Sequence, residues 1–476
     1  MANADDLCWM SAADLAAAIR RKKVSPVEAV DAVLARIERV DERLNAYVLV
    51  DAEGARKAAR AAERAVGRRG AALGPLHGVP FSVKDLVLTK GVRTTFGTPI
   101  YRDNVPAEDA PIVARLKAAG GVMIGKTNTP TFGWVGITDN LLFGPTRNPW
   151  NPDRTPGGSS GGAAAAVAAG LAPLAVGTDG GGSIRKPASF CGIFGHKPSY
   201  GRIPIYPHGA AWSLSNVGPM TRTVRDAALM MNVCAGPDER DQYSLPADGV
   251  DYVKAIEGSL KGLRVAYSET LGFAPAVDRE VREACAKAAR AFRDLGCRVE
   301  SVDPKWPSPW ACWRLTFLGG IATRLAPYRD RPELIDPGLR PVVEETLALP
   351  PTAYVQAWFD RLAWYQHARE FFERWDLLLS PTCSTPAFPL GILWPPEIDG
   401  KKVDREAGSA FTFPFNMTGQ PAATVPCGFT RDGLPIGLQI VGRRFDDVTV
   451  LRAAAAFEAA RPWADSRAGS ASGSPV

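Results

Sequence analysis

The chain is predicted to be an α/β protein: a largely buried β-sheet with helices on both faces. Three observations predict it. From Leu76 onward, short β-branched runs alternate with helical segments. Those runs are apolar at nearly every position, as in strands covered on both sides. No repeat or linker-like gap interrupts the body of the 476 residues, which is enough chain for one large core. One domain is therefore expected over residues 1–466, and the Ser/Gly-rich "RAGSASGSPV" at 467–476 reads as a flexible tail.

The elements follow in order. Ser11 is a plausible N-cap, with Asp14 three residues on, for a short helix to Lys22. "SPVE" is a stronger start: Ser25 caps, Pro26 takes the first helical position and Glu28 closes a capping box. That helix runs to about Val40 with Val27, Val30, Leu34 and Ile37 on one face, and a third spans about Ala52 to Val66. Together they make a helical layer over about residues 10–66. Strands are then expected at "GVPFSV", "GVMIG", "LAPLAVG", "LRVAY", "CRVESV", "DLLLSP" and "PIGLQIVG". Between them, helices are expected at Pro111 to Ala119, Ala163 to Ala169, Val224 to Cys234, Val277 to Leu295 and Asp447 to Ala460.

Composition narrows the function classes. A chain 46% hydrophobic and 22% charged has the make-up of a soluble globular protein. Its net charge of +6 comes from interspersed residues without a basic block, so no nucleic-acid footprint is visible. "MANADDLCWM" opens with acids where a secretion signal needs positive charge, and no apolar run approaches the roughly 20 residues of a membrane span. The eight cysteines form no C-x-x-C pair and read as reduced, packed thiols, so a cytoplasmic location is expected. No H-E-x-x-H or histidine cluster is present, and neither a metal nor another cofactor is expected. The only histidines are His77, His196, His208 and His367, and the first three read as loop or packing residues.

Chemistry is concentrated in "TPGGSSGGAAAAVAAGLAPLAVGTDGGGSIRKPASFCG", Thr155 to Gly192. A G-x-S-x-G elbow fits with Ser159 or Ser160 central, but the preceding "TRNPWNPDRTP" cannot be the strand an elbow needs. S-x-x-K is met by Ser183 and Lys186, yet Pro187 follows directly and disfavours a helix through Lys186. Structural glycines account for the alanine-rich part alone. In "GTDGGGSIR" the N–H groups of Gly180, Gly181, Gly182 and Ser183 have little side-chain cover and suit an anion-binding nest, the requirement of an oxyanion hole.

Taken together, "GVPFSVKD", "GKTNTP", "NPWNPDRTPGGSSGG", "GTDGGGSIRKPASFCGIFGHKPS", "VGPMTRTVRDAALM" and "FTFPFNMTGQPAATVPCG" resemble the amidase signature family, over roughly residues 10–460. The resemblance implies that family's mixed-sheet α/β fold, with its signature core at about 74–235. It implies a Ser–cis-Ser–Lys triad: Lys84 as base, Ser159 as the bridging serine behind a cis peptide, and Ser183 as nucleophile. It also implies an oxyanion hole from Gly180 to Ser183, with Asp179 and Arg185 holding the loop. Gly133 and Trp134 fall where the family lines its acyl pocket, Ser160 is expected to be structural, and the "WPSPWACWRLTF" and "FTFPF" segments are expected near the pocket mouth.

The chemistry suits these residue types. A serine hydroxyl must lose its proton as it attacks an amide, and a lysine can take it only if burial or a neighbouring cation keeps it neutral. One branch of the family is the glutaminase subunit of a tRNA-dependent amidotransferase, in which a carboxylate grips the α-amino group of glutamine. Here Ser409 stands at that position and Glu406 lies a turn too early, which disfavours glutamine. The expectation is a stand-alone hydrolase of small neutral amides, such as aryl or apolar amides, anilides, hydrazides or carbamates. Its partner is then the amide substrate, with neither nucleic acid nor membrane, and a homodimer is admitted. The alternatives are the glutaminase-type subunit and a partner-dependent, non-catalytic subunit.

Overall fold

The computed structural model describes residues 4–68 and 70–468, so most of the tail expected to be flexible lies outside the described residues. Within them, the strand–helix alternation becomes one long sheet. The strands are β1 (Tyr47–Val50), β2 (Pro80–Lys84), β3 (Val122–Thr127), β4 (Leu174–Asp179), β5 (Phe194–Lys197), β6 (Asn216–Thr221), β7 (Arg264–Tyr267), β8 (Arg298–Ser301), β9 (Leu377–Pro381), β10 (Glu397–Ile398), β11 (Lys401–Lys402), β12 (Ala422–Phe429) and β13 (Pro435–Gly442). Eleven form a sheet in the order β1-β3-β2-β4-β6-β5-β12-β13-β9-β7-β8, and β10 and β11 make a separate ribbon. The sheet is mixed. β2 runs parallel to β3 and β4, and β7 parallel to β8 and β9, while the centre from β4 through β6, β5, β12 and β13 to β9 is antiparallel.

β2, β3, β6, β9 and β13 are buried at every position, so both faces of the sheet are covered there. The N-terminal helices form Ala12–Arg20, Pro26–Leu44 and Ala52–Gly67, with Ser11 capping the first and the Ser25–Glu28 capping box closing the second. Their apolar residues, among them Leu15, Ile19, Val30, Leu34 and Ile37, pack with Val122 and Ile124 of β3. This layer therefore covers one end of the sheet. No helix among the described residues is long and apolar enough to cross a membrane.

The differences from expectation have local causes. β6 reads "NVGPMT" and β12 "AATVPCGF", where Gly and Pro signal turns, yet both are interior strands. At Pro426 the β12–β13 register shifts, which relieves the missing donor. The helices Trp310–Leu325 and Pro351–Arg374 carry aromatic residues without a clean periodicity. Contrary to the expectation from Pro187, Arg185–Cys191 is helical and runs through Lys186. Pro187 is its third residue, within the first turn, where a backbone N–H has no intrahelical acceptor to lose.

Candidate active site

Lys84 ends β2 and Asp179 ends β4, and these strands are parallel neighbours, so both residues reach the same end of the sheet. Ligand sites of α/β proteins gather outside such carboxyl ends. The segment from Gly157 to Ser160 reaches the same place. There a Cβ at Gly158 would lie 2.2 Å from the carbonyl oxygen of Ile137, so only glycine fits. The Gly158–Ser159 peptide bond is cis. Ser160 then caps the helix Gly161–Ala168.

These elements close around the Lys84 side chain, which is fully buried. Its Nζ donates to Ser159 Oγ at 2.7 Å, Ser160 Oγ at 2.9 Å and Thr178 Oγ1 at 2.8 Å. Burial drives its pKa well below 10.5, only partly opposed by the charge of Asp179. The three hydroxyls are not equivalent. Ser160 Oγ gives its proton to the carbonyl of Thr178 and also accepts the Thr178 N–H, so towards Lys84 it can only accept. A neutral amine has two protons and one lone pair. Donating to Ser160 and Thr178 leaves the lone pair for the Ser159 hydroxyl.

Asp179 organises the glycine loop beyond β4. Its carboxylate accepts the N–H of Gly182 at 2.7 Å and of Ile184 at 3.1 Å, and binds the Arg185 guanidinium at 2.9 and 3.0 Å. Arg185, also fully buried, donates further to Gln439 Oε1, Asn416 Oδ1 and the Thr412 carbonyl. Burial would raise the pKa of Asp179, but Arg185, with Lys197 and Asn416, holds it well below the usual carboxylate range. A fully hydrogen-bonded buried pair of this kind fixes geometry more surely than it adds stability.

The carbonyls of the loop are held from outside. Asn416 Nδ2 donates to the carbonyl of Asp179, Trp313 Nε1 to Gly180, Thr412 Oγ1 to Gly181 and the Lys186 N–H to Gly182. Across a trans peptide the next N–H points the opposite way. The N–H groups of Gly180, Gly181 and Ser183 have no acceptor among the described residues. The Gly182 N–H is not available as the four-donor nest required, because Asp179 takes it.

Ser159, Thr178, Gly180 and Ser183 line one cavity of about 140 Å³ whose other walls are mostly apolar, including Leu86, Phe132, Ile205 and Phe317. Gly133 lies in this wall, where a Cβ would come 2.9 Å from Ser159 Oγ. Trp134 does not. Phe132 and Gly133 both have positive φ, 50° and 72°, and the turn carries the indole into the wall of a second cavity. Of the two aromatic segments expected near the mouth, 306–317 contributes Phe317 to the cavity and Trp313 to the glycine loop. The "FTFPF" phenylalanines are fully buried, and Thr412 braces the loop from beneath. Lys186 does not face Ser183; its Nζ donates to Ser409 Oγ at 2.8 Å, and Glu406 bonds Ser308. Sequence alone does not single out Thr178, Thr412, Asn416 or Gln439 as parts of the site. Asn416 and Gln439 left a signal, polar side chains inside the apolar runs "FTFPFNMTG" and "PIGLQIVG".

Comparison with known proteins gives a concordant picture. The amidase family model matches residues 28–451. An acylamidase of Rhodococcus erythropolis is 42% identical over 467 residues, covering 97% of this chain and 98% of its own. A glutamyl-tRNA(Gln) amidotransferase subunit of Moorella thermoacetica is 41% identical over 484 residues, covering 95% of this chain and 97% of its own. Among solved structures, a bacterial aryl acylamidase of the amidase signature enzymes superposes with a TM-score of 0.90 at 34% identity, over 96% of this chain and 97% of that one.

Proposed function

The chain belongs to the amidase family, whose members hydrolyse C–N bonds, and from that premise we propose a serine amidohydrolase in which Lys84, Ser159 and Ser183 relay one proton. The observation that carries the reading is the buried Lys84 amine, surrounded by hydroxyls and paired with no carboxylate within bonding distance among the described residues. Neutral Lys84 takes the Ser159 proton while Ser159 takes that of Ser183, and Ser183 Oγ adds to the amide carbon. The N–H groups of Gly180, Gly181 and Ser183 stabilise the charge that forms on the carbonyl oxygen. The proton returns through Ser159 to the leaving nitrogen, the C–N bond breaks and an acyl ester remains on Ser183. Water then adds by the same relay and releases the acid.

The substrate follows from the cavity. A volume of about 140 Å³ with apolar walls matches a cavity that admits one benzene ring, so small aryl or apolar acyl groups fit. Ser409 bonded to Lys186 disfavours the glutaminase reading, because an α-ammonium group would meet a hydroxyl and the Lys186 amine there, with no carboxylate to hold it. The test is hydrolysis of neutral anilides and of glutamine by the purified chain, with fluorophosphonate labelling. Anilide turnover without a partner is expected, with labelling abolished in Ser183→Ala. Labelling that persists in Ser183→Ala overturns the nucleophile assignment, and faster glutamine turnover overturns the substrate class.

A further inference from the structure

A second cavity lies behind the catalytic loop. It is lined by Lys186 and Arg405 together with Trp134, Trp310, Trp394 and Ser409. Trp313 lines this cavity and Phe317 the first, so their stacked rings lie between the two. The Trp313 indole N–H holds the Gly180 carbonyl, its ring lies against Gly181, and Phe317 stacks on it at 4.8 Å. Sequence neighbours divide between the two spaces: Gly133 and Ser183 face the first, Trp134 and Lys186 the second.

Charge in this second cavity is unbalanced. Lys186, 4% exposed, has a single side-chain hydrogen bond, to Ser409 Oγ, whereas even a neutral amine carries two donors. A Cβ at Gly136 would lie 2.3 Å from its Nζ, so glycine there makes room for the amine. The Arg405 guanidinium lies over the rings of Trp134 and Trp394, at 5.0 and 5.4 Å, and has no hydrogen bond or ion pair among the described residues. Trp134 is 3% exposed, and its Nε1 is buried without an acceptor. The carboxylates whose charge reaches these cations are engaged elsewhere. Asp179 is bound to Arg185, and Glu345 to Arg314.

Burial lowers the pKa of Lys186, so the cavity holds one fixed cation, Arg405, beside an amine that a bound anion would favour in its protonated form. With the indole N–H and the surrounding rings they make a receptor for an anion. The volume is about 40 Å³, room for roughly three waters. That suits a carboxylate group and not a ring. We propose that this cavity is a carboxylate subsite distinct from the acyl cavity. Its occupant is either the distal carboxylate of an amide substrate or a free small carboxylate. Occupancy would be felt by the nucleophile loop, because Thr412 Oγ1 donates to the Gly181 carbonyl at 2.7 Å and lies 3.1 Å from that of Ser409, and the Lys186 N–H holds Gly182.

The test is tryptophan fluorescence of the full chain titrated with sodium formate against sodium chloride at equal ionic strength. A saturable formate signal is expected, retained in Ser183→Ala, which separates it from the hydrolytic reading. It should weaken at least about tenfold in Lys186→Met and in Arg405→Gln, the loss of one charge-assisted contact. Arg405 is half-buried, so its variant decides the matter should Lys186→Met fail to fold. The source is read from kinetics. If KM for an anilide bearing a terminal carboxylate rises in Arg405→Gln relative to its neutral counterpart, the substrate supplies the group. If instead added formate alters turnover of the neutral anilide, a free ion does. A formate titration indistinguishable from chloride, or one unchanged in Arg405→Gln, overturns the proposal.

Discussion

In the proposed relay Lys84 is the residue on which the chemistry turns, and its surroundings accept either protonation state. As an ammonium it donates to all three hydroxyls; as an amine it donates to Ser160 and Thr178 and receives from Ser159. Only one O–H needs to rotate, so little reorganisation accompanies proton transfer. Its pKa is lowered, so the active amine is present above the folded value and lost as pH falls through it. Rate–pH profiles of kcat/KM should therefore show an acid limb well below 10.5. A limb near the ordinary lysine value would contradict a neutral base. Thr412 offers a second check. Thr412→Val leaves the Gly181 carbonyl without its donor, and kcat should fall by about 10- to 100-fold with little change in KM, whereas Thr412→Ser should restore it. Equal losses in both variants would show that the hydroxyl is not what orients the loop.

At the level of elements, the helix Gly161–Ala168 positions Ser159 and Ser160, and its own seat depends on backbone contact. A Cβ at Gly162 would lie 2.4 Å from the N–H nitrogen of Asn128 and 2.6 Å from the Ala46 carbonyl oxygen, both backbone atoms that cannot swing aside. Gly162→Ala should cost about 1–3 kcal/mol in denaturant titration and displace the relay serines, lowering kcat as well. Unchanged stability would show that the helix can shift freely. Much of this is legible in the sequence. The capping box at Ser25, the helices Val224–Cys234 and Asp447–Ala460, and the runs that become β2, β3 and β4 carry strong local signals. β6 and β12 are not legible, because Pro219 and Pro426 read locally as turns and only the surrounding sheet makes them strands. The anion-seeking pair of Lys186 and Arg405 is equally hidden. The two residues are far apart in sequence, and only the fold sets them in one wall.

Across the whole molecule, buried ionisable groups outside the site also shape stability. Glu458 accepts the Val224 N–H at the start of the helix Val224–Cys234, and burial lifts its pKa from 4.5 to about 7. A raised carboxyl pKa gives stability that is complete below 4.5 and lost as pH rises through about 7. Glu458→Gln keeps the acceptor and removes the titration. The variant should melt higher than the parent above about 7 and converge with it in acid. A constant difference across that window would show that the residue does not titrate there.

The bracing of the glycine loop carries a further consequence. Thr412 is 231 positions from the carbonyl it holds, Asn416 is 237 from Asp179, and Gln439 is 254 from Arg185. All three residues of the proposed triad precede these braces in sequence. A ribosome-bound fragment ending before residue 412 would therefore carry the three proposed triad residues with the glycine loop unbraced, so the segment 412–439 completes the proposed site.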